Sequence, residues 1–208
     1  MMKKLSLILL FAAFSSLFAT QAFANSIDFR LGGNFSLIDY SNDIQYGYGD
    51  PLIGGTANLE VGINWGAIGL YINQDLGAMH DTGDTQNYMK SIGVNKPKFY
   101  GATYFMLKAF YLTSAFTLDF GVGLGVMYGQ DNPNYCLIPR ASTSEAAAQF
   151  AFKVTFGMTF DITAFIGIGF HVDYAMGIYD EYLYTEYGDD FGATHNFMPG
   201  LHVVLHLF

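Results

Sequence analysis

Along most of the chain apolar side chains recur at every second position, the period of a strand with two unlike faces. In SIDFRLGGNFSL, Ile27, Phe29, Leu31, Phe35 and Leu37 share one face, and Asp28, Arg30, Asn34 and Ser36 share the other. TANLEVGINW sets Ala57, Leu59, Val61, Ile63 and Trp65 against Asn58, Glu60, Gly62 and Asn64, and beyond Gly66-Ala67 the residues Ile68, Leu70 and Ile72 oppose Gly69, Tyr71, Asn73 and Asp75. KPKFYGATYFMLKAF alternates less regularly, with Phe99, Phe105 and Leu107 opposite Lys98, Tyr100, Tyr104 and Lys108. FTLDFGVGLGV places Phe116, Leu118, Phe120, Val122, Leu124 and Val126 opposite Thr117, Asp119, Gly121, Gly123 and Gly125. QFAFKVTFGMTF repeats the pattern with Lys153, Thr155, Gly157 and Thr159 on the polar face, and the next segment does so with Gly167, Gly169, His171 and Asp173. A last strand near 194–208 brings the predicted number to eight.

The connections alternate in length. Short turns are expected at Gly66-Ala67, over 110–115 and over 161–163, and long polar loops near 38–55, 76–95, 129–147 and 177–193. Short turns at one edge and long loops at the other describe an up-and-down barrel with both termini at the short-turn edge.

Composition says which solvent surrounds it. Aromatic residues make up 17% of the chain, charged residues only 13%, and glycine occurs 24 times. Such a chain suits a membrane, yet Arg30, Glu60, Asp75, Lys108, Asp119, Lys153, Asp161, His171 and Asp173 interrupt every stretch that a spanning helix would need. The other structure that satisfies its backbone in lipid is a closed β-barrel. The predicted fold is therefore all-β, a closed eight-stranded antiparallel transmembrane barrel. The opening MMKKLSLILLFAAFSSLFATQAFA has the charged, apolar and small-residue layout of a signal peptide. Residues 1–24 are expected to be cleaved, leaving 25–208 as the barrel domain. No cysteine lies near that cut, and the single Cys136 excludes an intrachain disulfide. The formal charge of −9 becomes −11 once Lys3 and Lys4 are removed, a balance opposite to the basic face that nucleic acid requires.

The alternating strands, the run GVGLGVMYG over 121–129 and the terminal GLHVVLHLF resemble the small eight-stranded outer-membrane barrels, the family of the OmpA membrane domain, OmpX and OmpW. The resemblance implies an integral protein of a Gram-negative-type outer membrane. Its partners would be outer-membrane lipid, lipopolysaccharide and the barrel assembly machinery. In that family a terminal aromatic residue is read during assembly, and Gly200, Val203, Leu205 and Phe208 look similar to the signal. Here Leu201, Val203, Leu205 and Leu207 share the apolar face, which puts Phe208 on the opposite one.

Candidate chemistry lies inside. An eight-stranded barrel leaves room for side chains or one small ligand. Glycines 121, 123, 125, 157, 167 and 169 would face the lumen, filled by bulkier residues such as Tyr71, Tyr100 and Tyr104 or left as a narrow groove. The inward Arg30, Lys108 and Lys153 are expected to pair with Asp28, Glu60, Asp119 and Asp173, since a buried charge needs a partner. With His171 these form the candidate lumen network: Arg30, Glu60, Lys108, Asp119, Lys153, His171 and Asp173. The network reads as a plug, with a gated pore as the alternative. A lipid-modifying barrel enzyme of the deacylase type would carry a histidine and a serine two residues apart on the outer wall. His171-Val172-Asp173 has no serine and points inward, so no catalytic residue is assigned. His202 and His206 lie about 13 Å apart along one strand, too far to form a metal site by themselves. Neither metal nor cofactor is expected. The final loop, GIYDEYLYTEYGDDFG, alternates Tyr179, Tyr182, Tyr184 and Tyr187 with carboxylates. Those tyrosines are the candidate binding surface for an extracellular ligand, or part of the interfacial aromatic belt. The predicted protein is a monomeric, non-enzymatic surface module, with a narrow solute channel as the alternative.

Overall fold

The computed structural model describes residues 25–40, 50–91, 93, 97–113, 116–130, 146–180 and 191–208. The proposed signal segment, Cys136, Tyr182, Tyr184 and Tyr187 lie outside the described residues. Eight strands follow in order: β1 Ser26–Tyr40, β2 Leu52–Asn64, β3 Ile68–His80, β4 Lys98–Leu112, β5 Thr117–Gln130, β6 Ala146–Asp161, β7 Ile166–Asp180 and β8 Phe191–Leu207. Each pairs antiparallel with the next, and β8 returns to β1, so the sheet closes on itself. A short helix, α1 Gly83–Ser91, sits in the connection between β3 and β4.

Closure satisfies the strand backbones without an exposed edge, and the period of two then assigns every side chain to lipid or lumen. Outward positions such as Leu31, Phe105 and Leu201 expose 63%, 60% and 71% of their surface, which only a hydrocarbon surround makes favourable. Inward positions on the same strands are buried, including Arg30, Tyr104, Lys108 and His202.

The short turns are built from local hydrogen bonds. Gly66 takes φ 84°, a conformation that favours glycine, and its N–H donates to Asn64 Oδ1 at 2.7 Å while the Trp65 N–H donates to the Ile68 carbonyl. The Thr113 hydroxyl accepts from the Phe116 N–H at 2.9 Å, and the Thr163 hydroxyl accepts from the N–H groups of Phe165 and Ile166.

Several boundaries differ from expectation. The strands continue into segments read as loops: β1 runs to Tyr40, β3 to His80 and β7 to Asp180, which places Tyr179 in a strand. Likewise residues 110–112, read as turn, complete β4, with Phe110 buried inside. Cross-strand pairing carries each ladder past the point where hydrophobic alternation fades.

The terminal strand corrects a second expectation. Phe208 does not turn into the lumen. Regular pairing ends at Leu207, so the last residue is released from alternation, stays 68% exposed and packs edge-on to Phe165 at 6.1 Å. The β1–β8 seam has one irregularity. Its register omits Phe35 and Ser36 opposite Met198 and Pro199, and Pro199 has no N–H to donate.

Candidate functional site: the filled lumen

Two ion clusters occupy the barrel interior. Towards the short-turn end, the Arg30 guanidinium donates twice to the Asp119 carboxylate, at 3.0 and 3.2 Å. Lys108 donates to Glu60 at 2.6 Å and reaches Asp119 at 3.4 Å, while Arg30 Nε lies 3.7 Å from Glu60. In the second cluster the Lys153 ammonium sits between Asp173 at 2.7 Å and Asp75 at 2.8 Å. Asn58 donates to Asp75 at 2.6 Å and the Thr155 hydroxyl donates to Asp173. Asn73 joins the clusters, accepting from Lys153 at 2.9 Å and donating to Glu60 at 3.4 Å. All of these side chains are buried, so each ion depends on these partners for the solvation it gave up.

The register explains why residues far apart in the chain meet. Glu60 lies directly across from Arg30 on β1 and from Asn73 on β3. Lys108 and Asp119 approach from β4 and β5, and Lys153 lies across from Ala175, a residue too small to block it. Strands 5 to 7 supply the necessary absences. A Cβ on Gly157 would fall 2.5 Å from an Asp119 oxygen, and one on Gly169 would fall 2.7 Å from His202 Nε2. Side chains from neighbouring strands therefore lie over the glycine wall and fill it.

The histidines make a third element. Thr159 Oγ1 lies 2.8 Å from His202 Nε2, the two Nδ1 atoms of His202 and His171 are 3.0 Å apart, and His171 Nε2 is 2.7 Å from Asn34 Oδ1. These three contacts join Thr159, His202, His171 and Asn34 in one hydrogen-bonded chain, in which the ring tautomers set the direction of donation. Asp173 lies 3.9 Å from His171 and ties this chain to the Lys153 cluster.

All seven residues assigned to the lumen network from sequence lie in this connected set. Among the described residues Asp28 pairs with none of Arg30, Lys108 and Lys153. It accepts from Tyr71 at 2.6 Å and Ser26 at 2.7 Å and meets His206 Nδ1 at 2.8 Å, forming a separate cluster at the short-turn end. Sequence reading did not assign Asn73, Asp75, Asn34 and His202 to the network. Their inward phase was visible, but which polar residues meet depends on barrel stagger. Asn58, Glu60, Asn73, Lys153, Thr155 and Asp173 are among the residues around a polar cavity of about 10 Å³, the size of a single water. Among the described residues no group of three or more His, Cys, Asp or Glu side chains is placed to hold a metal ion.

Residues 10–202 match the family model described as an outer membrane protein beta-barrel domain. The chain belongs to this family. The outer-membrane barrel is similar in fold to Neisserial surface protein A, with TM-score 0.55 and 8% identity over 85% of this chain and 96% of that one. OprG from Pseudomonas aeruginosa gives TM-score 0.49 and 9% identity over 88% and 97%. Likenesses at this identity describe the fold and leave the role of the barrel to its own residues. No curated protein matches the outer-membrane barrel in sequence.

Proposed function

We propose that this outer-membrane barrel is a closed, non-enzymatic surface module that holds its long loops outside the cell and conducts no solute. The observation that carries the reading is the pair of linked ion clusters across the lumen, which surround a cavity of only about 10 Å³. A hydrated ion would have to separate several buried pairs to pass. Both termini face the periplasm, and the acidic, tyrosine-rich segment with Tyr179, Tyr182, Tyr184 and Tyr187 meets the extracellular ligand. Outer-membrane lipid and lipopolysaccharide surround a monomer, which the barrel assembly machinery inserts.

The test is conductance of the refolded chain in a planar bilayer, with Arg30→Ala and Lys153→Ala beside it. A folded wild type gives a silent membrane. Discrete wild-type openings that respond to either variant would replace this reading with a narrow channel.

A further inference from the structure

The Arg30 side chain is buried, with 8% of the residue exposed, and both terminal nitrogens of its guanidinium are taken by Asp119. Among the described residues, its third nitrogen, Nε, has no hydrogen-bond partner. Glu60 Oε1 lies 3.7 Å from it, beyond hydrogen-bonding range, and is itself held by Lys108 at 2.6 Å. A guanidinium keeps its protons inside a protein, so this N–H is a permanent donor, and leaving it unpaired costs its full desolvation.

Room lies against the same side chain. Arg30 lines the cavity of about 10 Å³, a space that fits one water. The wall draws on all three polar groups of the lumen: Glu60 and Lys108 beside Arg30, Lys153 and Asp173 from the second ion cluster, and His171 from the histidine chain. Asn73 lines it too, and its carbonyl oxygen, like the carboxylates of Glu60 and Asp173, has lone pairs beyond those its present donors use.

The chemistry of the wall selects the occupant. It must accept from Arg30 Nε and donate to the surrounding oxygens. A small metal cation cannot accept, and it would face Arg30, Lys108 and Lys153. A halide accepts, but Glu60, Asp75, Asp119 and Asp173 already outnumber those three cations. Water does both. We infer that the cavity is a binding site for one long-lived water, which accepts from Arg30 Nε and donates to oxygens of the second cluster, making a second bridge beside Asn73. The site rests on the lumen being closed, but water residence and ionic current are measured separately, so a dry cavity and a conducting barrel give different results.

The test is nuclear magnetic resonance of the refolded chain in lipid nanodiscs, isotope-labelled at arginine alone. Arginine occurs only at 30 and 140, so Arg140→Lys leaves that of Arg30 as the sole Nε–H signal. A held water gives this proton cross-peaks of opposite sign in laboratory-frame and rotating-frame Overhauser spectra, unchanged when sodium chloride is replaced by choline sulfate. Cross-peaks of like sign would mark exchange with passing solvent, and their absence from a folded barrel would mark a dry cavity. Either result overturns the site, as does a saturable shift of the signal with sodium or chloride, which would assign an ion. Asn58→Leu sets an apolar side chain against the same cavity and should remove the cross-peaks. Their persistence in that variant would place the water elsewhere and would also overturn the site.

Discussion

At the scale of single residues, the lumen is governed by charge count. The Arg30 cluster sets two cations against two carboxylates, whereas Lys153 faces both Asp75 and Asp173. Lys153→Ala therefore leaves two buried carboxylates without a cation. It should cost about 3–5 kcal/mol of stability, measured by urea unfolding in lipid vesicles. Asp75→Asn keeps the shape and leaves one cation against one carboxylate, so its loss should be smaller. Equal losses would contradict this charge count. Glycine positions divide by what a methyl group would meet. Gly157→Ala should push Asp119 off Arg30 and cost about 1–3 kcal/mol. Gly33→Ala, with nothing within 4 Å of its Cβ, should stay within about 0.5 kcal/mol in the same unfolding experiment. The inward phase of Arg30, Lys153 and His171 was legible in the sequence because each alternates with lipid-facing apolar residues. Glu60, Asp119 and Asp173 could be named as partners for the same reason, but which cation each meets could not, because contacts such as Arg30 with Asp119 cross the barrel between strands far apart in order.

At the scale of elements, the ladders are uneven. The β4–β5 register runs unbroken from Tyr100↔Gly129 to Leu112↔Thr117, whereas the β1–β8 register omits Phe35 and Ser36 opposite Met198 and Pro199. Hydrogen exchange by mass spectrometry should find peptides around Phe35 and Pro199 exchanging faster than those around Phe105 and Leu124, because local opening starts where ladder bonds are missing. Equal protection would mean that other bonds hold the seam. Strand identity was readable from alternation, but strand length was not. Residues 38–40, 76–80 and 177–180 lack a clear two-faced pattern beyond the membrane, and neighbouring strands keep them extended. Phe208 shows the reverse effect, leaving the alternation where pairing stops.

At the scale of the whole molecule, the proposed orientation makes a direct prediction about access. An epitope inserted in α1 should bind antibody on intact cells, whereas one inserted at the Thr113–Phe116 turn should bind only after the outer membrane is permeabilised. The opposite pattern would invert the topology. Fold class, strand number and the separation of lipid-facing from lumen-facing residues were determined by the sequence alone. Period-two alternation and a low charge content leave a closed barrel as the spanning structure that satisfies every strand backbone. Tertiary structure alone decided which charges share an ion cluster, that Asp28 belongs with His206, and that neighbouring side chains cover the glycine wall. These outcomes depend on register and stagger, which bring together residues separated by as many as 178 positions in the chain and leave no periodic trace in it.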